Sequence, residues 1–277
     1  MRFVKLGTLA ACVLFYGLGA SAAEESVVEF DDAGALLAPV DHYRCYQAQQ
    51  RDPKTHQAGI HDVFLSGDRQ LLGISQICAP VRKIRGDLTP PEDLVPRFPL
   101  AHLTCYRLEP QERADVTLAF KNQFERDRMR VGAENSLCVP ALKRHLPISE
   151  TDGYPSFQEA HEQLKNVDHY RCYRAQQQTP RNQLAVLRDQ FLGPDQRAIR
   201  QLVQFCTPAR KVRAEIGEEL NPLFPRIGLA CYVLRPRDSA GAQVRTWNQF
   251  ETTDLEVREE RTLCVPTLTR SPNGGDA

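Results

Sequence analysis

Asp41-His42-Tyr43-Arg44-Cys45-Tyr46 returns unchanged as Asp168-His169-Tyr170-Arg171-Cys172-Tyr173, 127 positions later. Weaker echoes lie between and after the two copies, so the chain reads as a fourfold repeat. Aligned on the cysteine, the units are led by Cys45, Cys105, Cys172 and Cys231. Each carries a second cysteine (Cys78, Cys138, Cys206, Cys264) at separations of 33, 33, 34 and 33 residues. Seventeen residues after every leading cysteine stands Asp or Asn, with Phe two positions on: Asp62/Phe64, Asn122/Phe124, Asp189/Phe191, Asn248/Phe250. Every second cysteine opens a Cys-x-Pro. Residues kept in all four units are explained by folding before chemistry, so a specific site is expected where the repeats differ.

The repeats nest, because the 127-residue match is far closer than the echo about 60 residues away. Residues 38–145 and 165–271 are therefore expected as two tandem β domains of two units each. They are joined by a linker, 146–164, with a short helix starting near Ser156. Residues 24–37 and 272–277 read as tails. Pro90-Pro91 through Pro99, and Pro222 through Pro225, argue against helix between units. Within a unit, three segments read as extended: around the leading cysteine, before the Asp/Asn, and up to the second cysteine. Val116, Leu118 and Phe120 alternate with Thr117, Ala119 and Lys121, the period of a half-buried strand. The expected fold is mainly β: two disulfide-stapled antiparallel domains, sandwich or partly open barrel, each made of two three-stranded meanders that pair to cover their edges.

Residues 1–23 have the form of a secretory signal: Arg2 and Lys5, an apolar run from Leu6 to Leu18, then Ala20-Ser21-Ala22, with cleavage expected after Ala22. A competing reading makes Cys12 a lipidated first residue, but the run before it is short for that. No second apolar stretch long enough to span follows. Removing the leader leaves 33 basic against 35 acidic residues, which supplies no footprint for nucleic acid. Eight cysteines then remain, an even number in an exported chain, which favours bridges over metal ligation. Four cysteines per half allow three connectivities. Pairing within each unit is the expectation, since a bridge closing such a loop would stabilise a small unit by roughly 3 to 4 kcal/mol.

His42, His102 and His169 stand three residues before their cysteines, with Gly228 in the fourth unit. A His-x-x-Cys could supply two metal ligands, but bridged thiols leave packing or hydrogen bonding as the expected role. Asp62, Asn122, Asp189 and Asn248 are expected to cap a turn, a task that either residue type performs. Lys83, Lys143 and Lys211 lie five residues after the second cysteine, with Thr269 in the last unit, and are expected in surface pairs with those aspartates. The clusters Arg82-Lys83-Arg85 and Arg210-Lys211-Arg213 read as solvated faces. Features that occur once (His56, His61, His145, His161, Trp247) have no visible partner. Motifs for serine hydrolases, zinc hydrolases, phosphate loops and redox Cys-x-x-Cys pairs do not occur in the sequence.

His-Tyr-x-Cys-Tyr, Asp189-Gln190-Phe191 and Leu137-Cys138-Val139-Pro140 with Lys143 together resemble an uncharacterised bacterial repeat domain of secreted proteins, over most of the chain past the leader. The resemblance implies export and repeat architecture, and it carries no catalytic residue. The chain departs from that pattern at Gly228, at Thr269 and at Val63, where glutamine would stand. The expected function is that of an exported, non-enzymatic binding or structural protein. Its ligand would be an extracytoplasmic protein or glycan, with no cofactor and no metal. The alternatives are a secreted enzyme with a site at a unit or domain interface, or a metal-binding protein using the His-x-x-Cys positions.

Overall fold

The computed structural model describes residues 36–85, 92–147, 157–213 and 218–271. The leader with Cys12, tail residues 24–35 and 272–277, and linker residues 148–156 lie outside that range. No helix among the described residues is long and apolar enough to cross a membrane.

The mainly β, antiparallel, disulfide-stapled class holds. The first unit is β1 (Tyr43–Gln50), β2 (His56–His61) and β3 (Ser66–Pro80), continued by β4 (Arg82–Arg85) and β5 (Glu92–Leu94). The second is β6 (His102–Glu109), β7 (Arg113–Lys121) and the long β8 (Arg126–His145). After the helix Phe157–Leu164, the third has β9 (Tyr170–Gln177), β10 (Gln183–Arg188) and β11 (Asp195–Pro208), then β12 (Arg210–Arg213) and β13 (Glu218–Leu220). The fourth has β14 (Ile227–Arg235), β15 (Ser239–Asn248) and β16 (Thr252–Arg270). The alternation at Val116–Phe120 does form a strand, β7, with Leu118 and Phe120 buried.

The units are not meanders. The first strand does not pair with the second; both lie end to end along one edge of the long third strand. In unit one, Cys45 opposes Cys78 while His56 opposes Leu71. The within-unit bridges Cys45–Cys78, Cys105–Cys138, Cys172–Cys206 and Cys231–Cys264, the expected pairing, therefore tie the first strand to the end of the third.

Nor do the two halves close separately. First and third strands of all four units form one antiparallel ring, in the order β1-β3-β6-β8-β9-β11-β14-β16 and back to β1. Each unit's segment after Cys-x-Pro then runs on to the middle strand of the unit two places away. Lys83 opposes Leu187, Thr246 opposes Lys143, Lys211 opposes Ile60 and Thr269 opposes Phe120. Closing the ring leaves no free edge on these eight strands.

Because side chains alternate along a strand, the ring has an inner and an outer set. Tyr43, Leu103, Tyr170 and Leu229 point inward with all eight bridged cysteines, and Leu37, Phe98, Leu164 and Phe224 from the connecting segments cover this core. Two of those segments are pinned by backbone donors: Asp41 accepts from Arg97 (2.7 Å) and Phe98 (2.8 Å), and Asp168 from Leu223 (2.6 Å) and Phe224 (3.0 Å). Two further cores lie outside the ring, under the middle strands, around Phe120, Tyr173 and Phe205 and around Tyr46, Ile60 and Tyr106.

Candidate functional site

The Asp/Asn residues build the same turn four times. The carboxylate or amide oxygen accepts from the backbone two and three residues on, at Phe64 (2.9 Å) and Leu65 (2.8 Å) for Asp62, and at Phe250 (2.8 Å) and Glu251 (3.1 Å) for Asn248. Asn122 and Asp189 do likewise. The other side-chain atom reaches the tyrosine of the opposite unit. Tyr173 donates to Asp62 and Tyr46 to Asp189, both at 2.6 Å, while Asn122 and Asn248 donate to Tyr232 and Tyr106, both at 2.8 Å. The phenylalanine of each turn packs edge-on against the same tyrosine, with ring centroids 5.0 to 5.7 Å apart. Burial, then the neighbouring aspartate, raises the Tyr46 and Tyr173 hydroxyls well above their ordinary range, so they act as donors.

The alternation of Asp and Asn follows a charge pattern that the sequence reading missed. Asp189 lies 3.7 Å from Arg44, and Asp62 lies 4.0 Å from Arg171, whereas Thr104 and Ala230 hold the arginine's place in the even units. Each of these fully buried arginines also meets a fully buried glutamate. Arg44 Nε donates to Glu260 and Arg171 Nε to Glu134, both at 2.7 Å. The same glutamates accept from Arg197 and Arg69, again at 2.7 Å. One carboxylate thus joins three consecutive units, and two such carboxylates stitch the ring. A signal was present: arginine directly before the leading cysteine occurs in odd units only, and glutamate four residues before the second cysteine in even units only.

A further cluster sits where one unit meets the next. At the first junction His42, Lys83, Gln123 and Phe124 converge: Lys83 donates to the Gln123 carbonyl oxygen, Gln123 donates to His42, and the Lys83 ammonium lies 4.2 Å from the centre of the Phe124 ring. At the second, Lys143 lies 4.2 Å from the Phe191 ring and 2.9 Å from His145 Nε2, while His102 Nδ1 meets the Leu100 carbonyl at 3.0 Å. At the third, Lys211 lies 3.8 Å from Phe250, and Gln249 donates to His169 at 2.7 Å. These lysines are buried, not members of solvated faces or surface pairs, because a phenylalanine face stabilises a cation where water is excluded. Burial, reinforced by the lysine charges, pushes His42 and His102 down to about 3. Burial also pushes Lys143 down to about 7, against the pull of Asp189.

At the fourth junction the corresponding residues are Gly228, Thr269, Val63 and Phe64. The three departures scattered through the sequence therefore fall on one junction. A Cβ on Gly228 would meet the Phe205 ring at 2.6 Å and the Cys206 carbonyl at 2.7 Å, so an aromatic ring occupies the space a histidine fills elsewhere.

None of these buried clusters offers room for a substrate, and every thiol of the His-x-x-Cys positions is consumed in a bridge. Among the described residues no three of His, Cys, Asp and Glu converge as metal ligands. His56, unique to unit one, packs on Phe250 (5.4 Å) and Tyr106 (6.0 Å).

A surface concavity of about 840 Å³ lies outside the ring across β2, β3 and the turn after β6. Gln57, Gln70 and Glu109 form one cross-strand row of exposed side chains, and Asp68, Gln111 and Pro110 complete the rim. Arg69 lies at its floor, 4% exposed, held by Glu134 and by Glu112 at 2.7 Å each. The equivalent row in the second half reads Leu184, Ala198 and Arg235. Amides and a carboxylate on one side of the pseudo-twofold axis are thus replaced by apolar and basic groups on the other. No family model, curated protein or solved structure matches the chain.

Proposed function

We propose that this is an exported, non-enzymatic binding protein whose ligand seat is the cleft rimmed by Gln57, Gln70 and Glu109. Its four bridges fit an oxidising, extracytoplasmic environment, and the leader ending at Ala22 would deliver it there. The observation that carries the reading is the break in pseudo-symmetry at this row. Buried residues of the two halves match closely because packing demands it, whereas an exposed row is free to diverge and here becomes uniformly polar around a concavity. Carboxamides both donate and accept, and Asp68 and Glu109 accept only. The ligand is accordingly a donor-rich chain, a glycan or a polar peptide segment presented at the cell exterior.

Isothermal titration against a panel of cell-wall oligosaccharides and polar peptides tests this. The control is Gln57→Leu/Gln70→Ala/Glu109→Arg, which installs the second-half residues. Binding by the native chain that the triple variant loses, with unfolding unchanged, supports the seat. Binding that survives the triple variant, or turnover of a bound probe, defeats it.

A further inference from the structure

The bridges are not isolated from one another inside the ring. Cys45 Sγ lies 3.6 Å from Cys264 Sγ, and Cys138 Sγ lies 3.6 Å from Cys172 Sγ. The first contact joins the fourth unit to the first, and the second joins the second to the third. Both follow from register: Cys264 opposes Tyr43, two residues from Cys45, and Cys138 opposes Tyr170, two residues from Cys172. Diagonal neighbours on one face of adjacent strands come together in this way. The eight sulfurs share one core in which every cysteine is at most 5% exposed.

We propose that Cys45/Cys264 and Cys138/Cys172 are exchange pairs, through which opening one bridge is passed to the bridge of the neighbouring unit. A dithiol of the exporting compartment would reduce Cys231–Cys264, leaving with its own two sulfurs joined while the bridge takes up two electrons and two protons. The Cys264 thiolate then attacks Cys45 Sγ; the Cys45–Cys264 bond forms, the Cys45–Cys78 bond breaks, and Cys78 departs as a thiolate and takes a proton. Two staples within units become one staple between units, and it joins the first unit of the chain to the last. The same step at the other pair joins the second unit to the third. Attack requires a thiolate, which an apolar core disfavours, so exchange is slow at neutral pH and quickens as pH rises.

The test needs no added reductant, because a single replacement opens a bridge. Cys231→Ser leaves the Cys264 thiol beside the intact Cys45–Cys78 bridge. The folded variant is held at pH 8.5, and aliquots are acid-quenched at intervals, unfolded in denaturant, blocked with N-ethylmaleimide and mapped by non-reducing peptide mass spectrometry. The expected result is a shift of the label from Cys264 to Cys78, with a Cys45–Cys264 peptide appearing. Cys105→Ser at the other pair should move the label from Cys138 to Cys206. Should Cys231→Ser fail to fold, Cys78→Ser frees Cys45 at the same contact and should move the label to Cys231. Label that stays on the cysteine first freed, or that spreads to cysteines outside the two bridges in contact, overturns the proposal.

Discussion

Three of the four unit junctions carry a histidine, a lysine and a glutamine around a phenylalanine, and the fourth carries Gly228, Thr269 and Val63 around Phe64. All three positions change together, and only where the last unit meets the first. At the first junction lysine meets the ring face and the amide oxygen, and the amide donates to histidine. Losing one member would leave another buried and unsatisfied, which costs more than losing the set. The fourth junction shows the alternative solution, an apolar one, with Phe205 filling the volume. What still bridges that junction with charge is Arg44 on Glu260.

The largest effect is therefore expected at Glu260. Glu260→Gln removes the fully buried carboxylate that Arg44 and Arg197 share, leaving them the part-exposed Asp195 in common, and breaking a buried pair in this way costs about 3–5 kcal/mol. Glu134→Gln does the equivalent to Arg171 and Arg69, but at junctions that keep their histidine–lysine–glutamine sets. Denaturant midpoints of the two oxidised variants should both fall, with Glu260→Gln the lower; equal midpoints would mean the polar sets add nothing to cohesion. Next is Gly228→His, which forces a side chain into Phe205 and should cost about 1–3 kcal/mol by overpacking. Phe205→Leu, which restores the residue type found at Leu137 and Leu263, should recover part of that loss in the double variant, a coupling visible as non-additivity. Asn122→Asp tests the charge pattern: it removes the donor to Tyr232 and sets a carboxylate where Ala230, not arginine, stands opposite. Leaving a buried group unsatisfied should cost about 1–3 kcal/mol, read from the same unfolding curves.

The Asx turns and the β class were legible because each is local: an oxygen two residues before a phenylalanine, a period of two. The cysteine spacing left three pairings open in each half, and the choice among them rested on the small size of a unit. Ring closure was not legible. Local alternation specifies that a strand has an apolar face but not which unit supplies its edge partner, and Arg44 finds Glu260 across 216 positions. The complementary parity of Arg44 and Arg171 with Glu134 and Glu260 did encode neighbouring units, but it becomes readable only once those positions are known to be buried. The lysines were misplaced for a related reason. A Lys after Cys-x-Pro looks solvent-facing until the phenylalanine of the next unit is known to lie over it. The cleft was invisible, since Gln57, Gln70 and Glu109 meet only through strand register.

The smallest and most specific effect concerns Lys143, whose ionisation lies near neutrality. Its folded value of about 7 is below the ordinary lysine value of about 10.4. Between those values the unfolded chain holds the proton and the folded chain does not, so stability rises with pH across that window. Below about pH 7 both states are protonated, and the full cost of the buried charge is felt. Above pH 10 the buried tyrosines Tyr46, Tyr106, Tyr173 and Tyr232, whose hydroxyls burial raises above their ordinary range, reverse the slope, because the unfolded chain loses those protons first. Lys143→Met keeps the length of the side chain over Phe191 and removes the titrating group. Its stability at pH 7 should be at or above the parent's, because the cost of the buried charge is gone. Its rise between pH 7 and 10 should be shallower than the parent's. Thr269→Lys at the fourth junction, which has no glutamine and no histidine to receive it, should not install that slope without a larger loss of stability at pH 7. If Thr269→Lys is tolerated as well as the native lysines are, then the phenylalanine alone holds the cation, and the joint loss of three residues at that junction is not the consequence of their mutual dependence.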